Sequence, residues 1–221
     1  MRPAAAGSPP AADCPKPLLH LNGKPLVRHV IDAALTVCGR CIVVTGYRAT
    51  EMERALQGIP GVVTAYNRDY RRGMFSSILA GAQLVESSWF FVAPADMPFL
   101  PPEVFRVLLA AAAGSARRDG PLSFFPSYRG RTGHPVLISR ELLSDGGDPA
   151  GPRDAAGPGD PQAAPGPVEP APGPVEPAQA TMKAFVSRFP QETVPVTFAE
   201  ILRDLDTPDA LREARDRRDD R

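Results

Sequence analysis

The stretch Trp89-Phe90-Phe91-Val92-Ala93-Pro94-Ala95-Asp96-Met97-Pro98-Phe99-Leu100 decides how this chain folds. It opens with an apolar run over 89–93. A short run that is apolar on both faces suits a strand buried in the middle of a parallel sheet. Pro98 has no N–H for a ladder, so pairing ends before it. Such a strand delivers one carboxylate, Asp96, to the carboxyl edge of the sheet, where open α/β sheets bind their ligands. Asp96 then has two readings. It caps the turn before a helix opened by Pro101 and Pro102, or it ligates a metal that accompanies nucleotide phosphate.

The same alternation extends on both sides of this strand. Before it, 41–46 and Val62–Tyr66 read as buried strands, with helices predicted over 50–56 and 75–85. A helix also begins near Lys24-Pro25, where Leu26, Val30, Ala33, Ala34 and Val37 recur at helical spacing. Between Tyr66 and the 75–85 helix lies the basic stretch Arg68-Asp69-Tyr70-Arg71-Arg72-Gly73. After Asp96 come a helix over 102–113, a strand over 122–128 and a strand over 136–139. The turn Arg129-Gly130-Arg131-Thr132-Gly133 joins those two strands as a hairpin-like excursion. A short helix over 181–188, a strand over 193–197 and a helix capped by Thr207 and Pro208 close the fold. Strand and helix alternating in this order predict a doubly wound α/β domain with a mostly parallel sheet.

Composition excludes several function classes. The chain has 221 residues, 25 basic and 25 acidic, so it has no basic field for nucleic acid. No apolar run is long enough to span a membrane, and 1–13 lack a signal-peptide core, so the cytoplasm is the default expectation. Cys38-Gly39-Arg40-Cys41 has the spacing of a redox pair or half a zinc site, but no second ligand pair follows it. Reduced structural thiols are the expected reading. The segment 145–179 is almost entirely Pro, Ala, Gly, Asp and Glu. It carries the tandem repeat Pro165-Gly166-Pro167-Val168-Glu169-Pro170-Ala171 and its copy over 172–178. It cannot bury enough apolar surface to offset chain entropy, so it reads as a disordered insert between two parts of one domain, 1–144 and 180–216.

Several short segments recur in a telling order: Ala4-Ala5-Ala6-Gly7, Lys16-Pro17-Leu18-Leu19, Asn22-Gly23-Lys24-Pro25-Leu26, Val43-Val44-Thr45-Gly46 and Asn67. They are followed by Gly73-Met74-Phe75-Ser76-Ser77-Ile78 with Ala80-Gly81, then Ala95-Asp96-Met97-Pro98, Gly133-His134-Pro135 and Leu205-Asp206-Thr207-Pro208. Taken alone, a small-residue loop ending in glycine lets backbone N–H groups approach phosphate. The whole series resembles the molybdenum-cofactor nucleotidyltransferases, most closely their cytidylyltransferase-like branch, over nearly all of the chain outside the insert.

The resemblance implies a Rossmann-like three-layer nucleotidyltransferase fold and an enzyme dependent on Mg²⁺. Such an enzyme moves a nucleoside monophosphate, here CMP from CTP, onto a phosphate acceptor and releases pyrophosphate. The implied acceptor is a molybdopterin-type molybdenum cofactor, and the implied protein partner is a molybdoenzyme or its chaperone. Carried over, Ala6 and Gly7 belong to the phosphate loop, Lys16 contacts the triphosphate and Asp96 holds the magnesium. Asn67 and Gly81 fall in the nucleotide-contact region. Ser76 and Ser77 read either as an anion site at a helix start or as simple caps. His134 reads either as an acceptor contact or as a hydrogen-bonded turn histidine.

Two departures from the family pattern carry expectations of their own. Only Met1-Arg2-Pro3 precede Ala4, where the family has an apolar strand, so a central ladder of the sheet is expected to be incomplete. Ala11, Ala12 and Asp13 stand where Arg, Met and Gly are expected, so the loop lacks its phosphate-binding arginine. A degenerate copy that binds nucleotide or cofactor without turnover is therefore the alternative reading.

Overall fold

Helix α1 (Leu26–Leu35) shows how the layers are held. It buries Leu26, Val27, Val30, Ile31 and Ala33, a wider stripe than the 26/30/33 spacing announces. One side of the stripe, with Val27 and Ile31, packs with Cys41 and Val43 of strand β3 (Cys41–Thr45). The other side, with Val30 and Ala33, joins Phe91 of the strand Trp89–Val92 and Val104 and Phe105 of the helix Pro102–Gly114. One helix thus covers two ladders. The structure is a computed structural model and describes residues 14–115, 122–142, 186–187 and 189–205.

In chain order the remaining elements are a two-residue hairpin, β1 (His20–Leu21) and β2 (Lys24–Pro25), before α1, then β3, α2 (Ala49–Leu56), β4 (Val62–Tyr66), α3 (Met74–Ala82), β5 (Trp89–Val92) and α4 (Pro102–Gly114). These are followed by β6 (Ser123–Tyr128), β7 (Arg131–Thr132), β8 (Val136–Ser139) and β9 (Gln191–Pro195). Strand β3 pairs in parallel with β4, from Cys41 opposite Val62 to Thr45 opposite Tyr66. A second sheet has the order β5-β8-β6-β7, with β9 parallel to β6. Because β8 is antiparallel to both β5 and β6, those two run the same way, and β9 with them.

This corrects one expectation and explains it. β5 is not flanked by parallel neighbours; its ladder partner is β8, antiparallel. The excursion through Arg129 and Gly130 turns the chain back, so β8 is inserted between β5 and β6. Among the described residues, β3 and β5 each have a ladder partner on one edge only. Trp89 to Val92 are half-buried rather than sealed. On the face opposite α1, helix α3 spans the same two strands. Phe75 joins the cluster that includes Val92 and Val136, and Gly81 lies against β3. A Cβ on Gly81 would stand 2.7 Å from Val44 Cγ2, so its role in the fold is close helix–strand packing.

The predicted thiol chemistry is also resolved. Cys38 and Cys41 are free. Burial pushes the Cys41 thiol up to about 11, which leaves it protonated and unreactive near neutrality. No helix among the described residues is long and apolar enough to cross a membrane. The expected insert over 145–179, the capped helix at Thr207 and nearly all of the 181–188 helix lie outside the described residues.

Candidate functional site

The carboxyl edge of the strands gathers most of the predicted residues. Lys16 opens a 3-10 turn (Lys16–Leu18) set up by Pro15 and Pro17, with Leu18 N–H donating to the Pro15 carbonyl at 2.8 Å. Leu19 bonds the start of α1 through Leu26 N–H at 2.9 Å, which ties this turn to the layer above β3 and β5. Beyond β5, Asp96 holds its backbone in place by accepting the Leu205 N–H at 3.0 Å. The Lys16 ammonium then donates to Asp96 Oδ2 at 2.7 Å, across 80 residues of sequence. Their side chains are 33% and 23% exposed, so a ligand can reach both.

His134 comes to the same place from the other side. Its backbone N–H donates to the Ile201 carbonyl at 3.0 Å. Its ring shares a hydrogen bond with the Val92 carbonyl, and Nδ1 is buried with no partner among the described residues. Burial holds the imidazole pKa below its ordinary value, against that hydrogen bond and the charges of Asp96 and Asp204. The ring is therefore neutral at pH 7 and suited to positioning, not to carrying a charge. Because its folded pKa lies below its unfolded value near 6.5, the unfolded chain takes up the proton first. Stability is complete above that pH and falls as pH drops through it, by at most about 1.4 kcal/mol per pH unit for this group. The melting temperature in EDTA should drop between pH 7.5 and 5.5, and the His134→Gln variant should show a shallower drop.

Asp204, absent from the sequence-based candidates, is brought in by the segment that follows the 3-10 turn Ala199–Leu202. It is exposed, and its charge acts on the His134 ring together with that of Asp96. The Arg203 guanidinium lies 4.0 Å from the Phe99 ring centroid, a contact that anchors this segment over the loop after Asp96. The only signal in the chain was an acid just ahead of Leu205-Asp206-Thr207-Pro208.

Asn67 is buried and its side chain faces inward. Its amide donates to Ser76 Oγ at 2.9 Å and Ser77 Oγ at 3.0 Å, and its Oδ1 accepts the Asp69 N–H at 2.9 Å. Ser76 Oγ in turn reaches the Gly73 carbonyl at 2.8 Å and the Asp69 carbonyl at 3.0 Å. These three residues knit the basic stretch to the start of α3. Asn67→Ala should cost about 2 kcal/mol, since it strands buried partners. Urea unfolding should show that loss, and trypsin should cut faster at Arg71 and Arg72. Gly81 is set apart from this group, buried against Val44. Ala6 and Gly7 lie outside the described residues.

What the site offers chemically is a hard oxygen donor beside an ammonium, both partly exposed. Asp96 suits a hard divalent cation such as Mg²⁺ or Mn²⁺. Among the described residues no three His, Cys, Asp or Glu side chains form a cage. An ion here would share its coordination with water and ligand oxygens, which is how Mg²⁺ sits with phosphates.

Comparison with known proteins bears on the family and the fold. The model of the MobA-like NTP transferase domain matches residues 5–152. Molybdenum cofactor cytidylyltransferase of Escherichia coli (strain K12) is 34% identical over 113 residues, covering 51% of this chain and 55% of that protein. The probable molybdenum cofactor guanylyltransferase of Natronomonas pharaonis is 31% identical over 102 residues, covering 45% of this chain and 50% of that one. The chain thus spans about half the length of these curated relatives. Among solved structures, Rv0371c from Mycobacterium tuberculosis H37Rv aligns over 92% of this chain and 90% of its own, with a TM-score of 0.64 at 16% identity, a likeness of fold.

Proposed function

The chain belongs to the MobA-like NTP transferase domain family, and from that premise we propose that it transfers CMP from CTP to a molybdopterin-type cofactor with release of pyrophosphate. The observation that carries this reading is the Lys16–Asp96 pair, 2.7 Å apart at the open edge of the sheet. Cytidine is preferred over guanosine because the cytidylyltransferase of E. coli shares more identity over a longer stretch than the guanylyltransferase of N. pharaonis.

Nucleotidyl transfer between two phosphates needs positioning and charge neutralisation more than covalent help. The acceptor's own phosphate oxygen attacks the α-phosphorus, and the α–β bridging oxygen leaves with pyrophosphate. Lys16 stabilises the charge that builds on the phosphates in the transition state. Asp96 is the residue that would hold a divalent cation, with Asp204, whose charge also acts on the His134 ring, as a second acid. Mg²⁺, when bound, neutralises phosphate charge and keeps the triphosphate in one geometry. His134, neutral and wedged against Val92 and Ile201, keeps the segment bearing Asp204 in register with Asp96.

Incubation with Mg²⁺, molybdopterin and each of CTP, GTP and ATP tests this reading, with a sugar phosphate as control acceptor. Rapid pyrophosphate release with CTP and molybdopterin is expected; release only with the sugar phosphate would move the chain to another acceptor class. The second reading, a binding protein without turnover, is favoured by Ala11 standing where the phosphate-loop arginine is expected, with Asp13 adding a negative charge nearby. It predicts that CTP and molybdopterin both bind and that no pyrophosphate appears.

A further inference from the structure

We propose that the open edge of β4 pairs with the same edge of a second copy of this chain, as an antiparallel two-fold ladder centred on Thr64. The inference is independent of the transfer reading and of its site.

Strand β4 (Val62–Tyr66) ends its sheet, and among the described residues its ladder partner is β3 alone. End strands are ordinarily guarded by charge, proline or a bulge. Val62-Val63-Thr64-Ala65-Tyr66 has no charge and no proline, and its register with β3 runs unbroken from Val62 to Tyr66.

Pairing with β3 fixes which backbone groups face outward. Cys41 N–H donates to the Gly61 carbonyl at 2.7 Å, and Asn67 N–H to the Thr45 carbonyl at 2.8 Å. Every second residue of a strand serves the same neighbour. Gly61, Val63, Ala65 and Asn67 therefore serve β3, and Val62, Thr64 and Tyr66 turn to the open edge. The Val62 N–H is already used, donating to the Ile59 carbonyl at 3.2 Å. The edge thus offers the N–H groups of Thr64 and Tyr66 and the carbonyls of Val62, Thr64 and Tyr66.

An antiparallel copy centred on Thr64 spends every one of those donors. The two Thr64 residues exchange both of their bonds, and each Tyr66 N–H donates to the other copy's Val62 carbonyl. Centred on Val62, the ladder would need the N–H that Ile59 holds. Centred on Tyr66, it would set Thr64 against Arg68, beyond the end of the strand.

The side chains fit the same register. Val62 and Thr64 line an open groove of about 340 Å³ together with Glu53, Arg54, Leu56 and Gly58. Tyr66 shares their face by alternation and is 56% exposed. In the two-fold ladder the second copy's Tyr66 stands opposite Val62, where its ring covers the groove. The lining holds one acid and one base, Glu53 and Arg54, so two copies meet without net charge and neither an acidic nor a basic peptide is favoured instead. One short strand and one helix face give an interface below the usual size of about 800 Å² per partner, so the association is reversible.

The test is sedimentation velocity of the full chain between roughly 1 and 200 µM, with amide hydrogen exchange followed by NMR at both ends of that range. Sedimentation should pass from monomer to dimer as concentration rises. The Thr64 and Tyr66 amides should gain at least about tenfold protection at the high end, whereas Val63 and Ala65, held by β3, stay protected throughout. Thr64→Pro removes an outward N–H that β3 does not use, and Thr64→Lys sets like charges opposite one another. Each should weaken association at least about tenfold. Melting temperatures taken at dilution show whether each variant folds, and exchange in the parent decides the case if either does not. A chain that stays monomeric overturns the proposal, whether Thr64 and Tyr66 exchange freely or are protected at every concentration by another segment of the chain. A dimer that forms without protecting Thr64 and Tyr66, or that both folded variants leave intact, also overturns it, because another surface then joins the copies.

Discussion

Asp96→Asn is expected to lower nucleotidyl transfer at least about a thousandfold, with little change in stability. Asparagine keeps the shape of the side chain and can still accept the Lys16 hydrogen bond, now 2.7 Å long. The Asp96 carbonyl, which receives the Leu205 N–H at 3.0 Å, is untouched. The lost ion pair is part-exposed, so it contributes no more than about 1 kcal/mol to folding. What disappears is the negative oxygen that binds a hard cation, and with it the neutralisation of the triphosphate. Lys16→Ala should fall less, by about a hundredfold, because the cation remains. Pyrophosphate release measured over a range of Mg²⁺ concentrations checks both. A D96N rate within about tenfold of the parent would remove Asp96 from the chemistry.

Gly133→Ala should act in the opposite way, on the fold first and on activity through it. A Cβ at this position would fall onto the Ile201 carbonyl oxygen, with the carbonyl carbon at 2.7 Å and Ile201 Cβ at 3.0 Å. The two nearest are backbone atoms of the segment that also receives His134 N–H, so nothing flexible can move aside. The 131–134 turn and the 201–205 segment must separate. Separation breaks the His134-to-Ile201 bond and pulls Leu205 off the Asp96 carbonyl. It also opens the core around Ile201, which packs with Val30, Val104 and Phe105. A loss of about 3 kcal/mol or more is expected, readable by urea unfolding. Gly130→Ala is the control. It is a positive-φ turn glycine with open space around its Cβ position, so its penalty should stay near about 1 kcal/mol.

These two positions show what could be read from the chain and what could not. The run at 89–93 announced a strand ending near a carboxylate, because burial imposes an apolar pattern that survives in sequence. Val62–Tyr66 was legible for the same reason, closed by Asn67 and opened by Gly61. The resemblance implied a triphosphate contact for Lys16 and magnesium for Asp96, and the structure brings the two side chains to 2.7 Å.

Other features left no local trace. Periodicity reports that Trp89 to Val92 are apolar, not which strand they pair with, so the antiparallel insertion of β8 went unseen. The second half of α1's buried stripe, Val27 and Ile31, depends on one helix covering two ladders. Asn67 could have pointed outward or inward; only the positions of Ser76, Ser77 and Asp69 decide it. The nearness of Asp204 to His134 is set by the Ile201 and Leu205 backbone bonds. Gly81 and Gly133 look alike in sequence, yet one accommodates a side chain of β3 and the other a carbonyl.

The central claim is that one acidic side chain and one ammonium at the sheet edge activate a nucleoside triphosphate toward a phosphate acceptor. Its most direct test is pyrophosphate release by the parent chain with CTP, molybdopterin and Mg²⁺, repeated in EDTA and with each component left out. The account predicts release matched one for one by a CMP-linked pterin product, and abolished by EDTA or by removing the acceptor. Tight binding of both substrates with no pyrophosphate formed, at protein concentrations equal to substrate, would contradict it.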